Sequence, residues 1–165
     1  MKTLAILFML LLTVSASVSW SRAEQATGET AAGGGGEAGG RFLSVPVYLD
    51  AGDEPLAAYQ FQLSASQGRM RVVGVENGEH AAFAEAPYFD REAVSQGRAD
   101  RIIVAAFSTL PGDQLPAGRT RVATVHAYVE GDTEPQWQLE LIRAGNTAGQ
   151  PIPAAIDTVA QNRQE

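Results

Sequence analysis

His80 and His126 are the only histidines in a chain of 165 residues, and they are the first place to look for acid–base or metal chemistry. His80 closes the polar run Glu76-Asn-Gly-Glu-His80, and His126 lies within a strand-like alternation, near a strand edge. A zinc site needs three or four ligands at helical or short-loop spacing, which neither histidine has. Both read as solvent-facing imidazoles, and no metal ligand set is assigned. The chain has no cysteine, so thiolate catalysis, thiolate metal sites and disulfides are all excluded. There is no Gly-x-Ser-x-Gly elbow, and no Ser/His/Asp spacing marks a triad. The chain is therefore expected not to be an enzyme. Asp50, Asp53 and Glu54 cluster in one turn with oxygens that a calcium ion tolerates. They lack a calcium-loop spacing, so turn formation is the preferred reading. No cofactor is expected, with calcium at this turn as the alternative.

Aromatic side chains offer a second kind of chemistry, the flat platform on which sugars stack. Alternation turns Tyr59 and Trp137 inward, leaving Tyr88 with Phe83 and Phe89 in an irregular segment as the candidate glycan-binding group. Polysaccharide or cell-wall glycan is the alternative partner on that basis. The formal charge is −7, and the first 23 residues contribute Lys2 and Arg22 with no acid. The remainder is more acidic still and repels phosphate backbones, so nucleic acid is not an expected partner.

These groups are positioned by a chain of three parts. Residues 1–23 combine a basic start, the apolar run Leu4–Leu12 and small residues thereafter, the layout of a signal peptide. Thr13, Ser15, Ser17 and Ser19 interrupt the run before it reaches the ~20 apolar residues of a membrane span. Cleavage gives a secreted, periplasmic or cell-surface protein with no membrane span, and retention as an anchor is the other outcome. Residues 24–40, EQATGETAAGGGGEAGG, have nothing to bury and read as a flexible linker.

From residue 41 to 160 short alternating runs recur between Gly, Pro, Asp and Asn. Strands are expected at Phe42–Leu49, Ala58–Ser64, Arg69–Val75, Arg101–Phe107, Arg119–Val129, Gln136–Ile142 and Ile152–Val159, with a short helical turn near Arg91–Gln96. The run Arg101-Ile-Ile-Val-Ala-Ala-Phe107 has few polar interruptions and reads as a central strand. Residues 161–165 are expected to fray. The pattern predicts an all-β fold, an antiparallel β-sandwich.

The order of Val45-Pro-Val-Tyr-Leu, Leu56-Ala-Ala-Tyr-Gln-Phe-Gln-Leu, Val72-Val-Gly-Val-Glu, Arg101-Ile-Ile-Val-Ala-Ala-Phe, Leu115-Pro-Ala-Gly-Arg-Thr-Arg-Val-Ala-Thr-Val and Asn146-Thr-Ala-Gly-Gln-Pro-Ile resembles a cohesin domain. Cohesins belong to the wider group that includes carbohydrate-binding modules, and the resemblance covers nearly all of 42–159. It implies a nine-stranded jelly roll of bacterial origin that binds a calcium-loaded dockerin through one flat sheet face. Carried onto this sequence, that partner-binding face comprises Ala58, Gln60 and Gln62 with Val104, Ala106 and Ser108. Tyr59, Phe61, Ile103, Ala105 and Phe107 then point inward. Cohesins commonly place Asn and Asp where Ala58 and Gln60 stand. The expected partner is a protein, dockerin-like in kind.

Overall fold

The computed structural model describes residues 39–159 and the backbone of 161–162. The expected signal peptide and all but the last residues of the linker lie outside the described residues. Eight strands are described: β1 (Gly40–Asp50), β2 (Ala58–Gln67), β3 (Arg69–Glu76), β4 (Arg101–Phe107), β5 (Arg119–Glu130), β6 (Gln136–Gly145), β7 (Ala155–Thr158) and β8 (Gln161–Asn162). A five-residue helix, α1 (Arg91–Ser95), sits between β3 and β4 and is capped by Asp90, whose Oδ1 accepts from the Ala93 N–H at 2.8 Å. No helix among the described residues is long and apolar enough to cross a membrane.

Two antiparallel sheets result, one ordered β3-β5-β1-β7 with β8 also on β1, the other β4-β2-β6. Period-2 alternation explains both. Leu43, Val45, Val47 and Leu49 of β1 face one side and are buried, as are Tyr59, Phe61 and Leu63 of β2. These two rows meet across the sandwich, and Met70, Val72, Ile102 and Val104 extend the same core. Trp137, Leu139 and Leu141 of β6 close it from the edge.

One irregularity is built into the core. The β1–β5 register slips between Val47 and Tyr48, so Val122 is the extra residue of a β-bulge. Its side chain is fully buried, and its carbonyl accepts the Tyr59 hydroxyl at 2.8 Å. Burial pushes the Tyr59 phenol far above its usual range. Below the ordinary tyrosine range, about pH 10, both folded and unfolded states hold the proton and there is no pH-dependent term. Above it the unfolded chain releases the proton first, so stability falls with a slope of up to about 1.4 kcal/mol per pH unit. Tyr59→Phe is expected to cost about 1–2 kcal/mol at neutral pH, because it leaves the Val122 carbonyl without its partner. It also removes that part of the alkaline decline, which urea melts from pH 8 to 11 would measure.

The structure departs from the sequence expectations at β4. β4 is an edge strand and not a central one. Its apolarity reflects apolar residues on both faces, not burial of both. Eight strands are described where the resemblance implied nine. The outer flank of β4 is met by a single bridge between Tyr88 and Ala105, with paired backbone bonds of 2.8 and 3.0 Å. Gln161 and Asn162, expected to fray, pair with Ser44 and Leu43 of β1.

Candidate functional surface

The outer face of the three-stranded sheet is a grid fixed by its register. Ala58, Gln60, Gln62 and Ser64 on β2 lie opposite Phe107, Ala105, Ile103 and Arg101 on β4. On the other side the same residues meet Gly145, Arg143, Glu140 and Gln138 of β6. Directly opposed residues share a face, so beyond Arg101 the face is apolar along β4. It is polar along β2, and along β6 apart from Ile142, the 45% exposed residue at the β6 register shift. Ala58, Gln60 and Gln62 occupy the outer face where the sequence put them, each half-buried by its neighbours.

On β4 the expected phase is reversed. Val104 is fully buried opposite Phe61, and Ala106 faces inward opposite Tyr59. Ile103 and Phe107 instead face solvent at 44% and 61% exposure. Volume is the physical reason: small Ala106 beside large Tyr59 fills the core where Phe107 would overpack it. Ser108 lies beyond the strand. Its N–H donates to the Ala57 carbonyl at 2.8 Å and its hydroxyl accepts from the Leu110 N–H at 3.3 Å, so it serves a turn.

The glycan candidates also separate. Phe83 is a core residue, its ring edge-on to Tyr59 at 5.1 Å. The segment carrying it docks on β5 through Gly78, whose N–H donates to the Phe83 carbonyl at 2.9 Å and where a Cβ would lie 2.9 Å from the Arg121 carbonyl oxygen. Phe89 is half-buried beneath the Arg91 guanidinium, 4.9 Å away. Only Tyr88 is open, 66% exposed, with its ring parallel to that of Phe107 at 6.0 Å. Sequence reasoning missed this pair because the two rings come from segments with no common periodicity.

The outer face of the other sheet differs in kind. Arg119 stacks on Tyr48 at 3.8 Å and pairs with Asp157, while Arg71 covers Tyr128 and pairs with Glu130. Six ion pairs, among them Arg41–Glu134 and Arg121–Glu79, involve this sheet or the loops beside it, and none of the six lies on the β4-β2-β6 face. The charges of the β3-β5-β1-β7 sheet are thus largely engaged, whereas Arg101, Glu140 and Arg143 on the β4-β2-β6 face are not.

Both histidines leave the solvent-facing role expected of them. His80 Nδ1 accepts from the Ala82 N–H at 3.1 Å and caps a 3₁₀ turn. His126 lies on β5, an interior strand, between Ser44 Oγ at 3.1 Å from Nδ1 and Glu76 Oε1 at 3.0 Å from Nε2. These three residues come from three strands, which is why no spacing revealed them. A proton relay needs aligned donors and a place for a developing oxyanion. Here Nε2 is shielded from solvent and off the hydrogen-bonding direction to Glu76, and the amides of β1 and β5 are committed to the ladder. In the acidic turn, Asp50 Oδ1 accepts from the Gly52 N–H at 3.0 Å, an Asx turn.

By sequence, the chain matches no protein-family model and no curated protein. By structure, it is similar to a chain of the Coh-OlpA–Doc918 complex from Clostridium thermocellum, a type I cohesin–dockerin complex. The TM-score is 0.50 at 13% identity, covering 68% of this chain and 81% of that one. The fold is a cohesin-like β-sandwich.

Proposed function

We propose that this chain is an exported, non-catalytic protein-interaction module whose partner lies on the outer face of the β4-β2-β6 sheet. The observation that supports the reading is the set of exposed apolar side chains Ile103, Phe107 and Tyr88 along β4, on a face whose other residues, Ile142 of β6 apart, are small or polar. Exposed large apolar side chains bordered by polar ones are the composition of an interface centre with its rim. The similar structure is a complex with a dockerin, and a dockerin-like helical partner is the kind proposed here. Ala58 cannot donate or accept a side-chain hydrogen bond and Gln60 carries no charge, so the contact is proposed to be anchored by Phe107 of β4 and the adjacent Tyr88 and not by an Asn–Asp pair.

The test is recovery of partners from secreted fractions on the immobilised protein, with and without calcium. A partner held by the native chain is expected to be lost from Gln60→Arg combined with Ile103→Glu. Capture of every partner unchanged by that double substitution overturns the reading. Retention of insoluble polysaccharide that depends on Tyr88 would favour a glycan in its place.

A further inference from the structure

Beside Phe107, at the open flank of β4, lies a cleft of about 350 Å³. Phe83, Leu110 and four alanines give it an apolar floor, Tyr88 and Phe107 form one wall, and Ser108 and Thr109 place hydroxyls at its rim. Glu85 is its one charged lining residue, and no hydrogen bond or ion pair among the described residues engages that carboxylate. Accepting the sheet face as the partner site, we propose that this cleft receives an arginine side chain of the partner.

The chemistry supports that occupant on three counts. An apolar floor suits an aliphatic stem, and a long cationic side chain buries its stem while keeping its head at a polar rim. The two exposed rings offer π faces to a cation, and a planar guanidinium stacks on such faces better than an ammonium does. The carboxylate and two hydroxyls offer acceptors to a group that has five donors and no acceptor. An acidic side chain would be repelled by Glu85, and a purely apolar one would leave that carboxylate facing it unpaired.

The test needs no partner protein. The isotope-labelled chain is titrated with N-acetyl-arginine amide, and with the citrulline and lysine equivalents, by NMR. Arginine is expected to shift signals of Glu85, Tyr88 and Phe107 with roughly millimolar affinity, and uncharged citrulline at least about threefold more weakly. Glu85→Gln and Tyr88→Ala are each expected to abolish the effect while the rest of the spectrum is kept. Absence of localised shifts, or equal binding of citrulline, overturns the proposal, and lysine binding as tightly as arginine overturns the choice of arginine. If the cleft fails this test while Phe107→Ala still abolishes partner capture, the cleft assignment falls and the face assignment stands. If the cleft passes while partner capture ignores the face, the reverse holds.

Discussion

Val104→Asp is expected to unfold the domain, whereas Ile103→Asp leaves it folded. The two residues are neighbours on β4, and they differ only in the face they occupy. Val104 is fully buried against Phe61, and an aspartate there must either hold a charge in the core or fold in its protonated form. Either course costs several kcal/mol, a large part of the 5–15 kcal/mol that holds a typical domain together. Cavity loss from the smaller apolar volume adds to it. Ile103 is 44% exposed opposite Gln62, so its replacement changes stability by about 1 kcal/mol or less. Urea melts followed by circular dichroism read both. The opposite ranking would show that β4 carries the phase its sequence first suggests.

That phase marks the boundary of what the sequence makes legible. On β2, Tyr59, Phe61 and Leu63 alternate with Ala58, Gln60 and Gln62, so polarity itself states which face is out. On β4, Ile102, Val104 and Ala106 alternate with Ile103, Ala105 and Phe107, and both sets are apolar. Local sequence then contains no phase, and the intuition that larger side chains go inward points the wrong way. The phase comes from pairing with β2 and from the space beside Tyr59, both non-local. The same holds for Ser44, His126 and Glu76, and for Tyr88 beside Phe107, which no spacing along the chain connects. Seven of the eight described strands, the Arg91–Ser95 helix and the sandwich class are legible because each rests on periodicity or on turn residues close in sequence.

Tyr88→Ala combined with Phe107→Ala is expected to weaken partner binding by 100-fold or more, about 2.7 kcal/mol or above, at little cost to folding. The magnitude follows from the disproportion usual in interfaces, where buried aromatic anchors dominate and their polar surroundings mainly exclude water. Tyr88 and Phe107 are the most exposed aromatic rings beside the face, and they already support one another at 6.0 Å. Their side chains carry little of the core, so the folding free energy is expected to change by about 1 kcal/mol or less. The Tyr88–Ala105 backbone bridge does not depend on the ring. A combined loss of binding and of Tm by many degrees would mean that the rings hold the Tyr88 segment against β4 instead of awaiting a partner.

The two outer faces of the sandwich offer a direct comparison. The five-stranded face also shows exposed apolar residues, Phe42 at 61% and Val73 at 45%. Its cations, however, already stack or pair with residues of the same sheet. The decisive measurement is the dissociation constant of one captured partner for the native chain, for Ile103→Glu with Phe107→Ala, and for Phe42→Ala with Val73→Glu, by isothermal titration calorimetry. The account predicts that the first pair weakens binding by 100-fold or more and that the second changes it by less than about threefold. Loss of binding from the Phe42 and Val73 substitutions, with the Ile103 and Phe107 pair binding like the native chain, would contradict it.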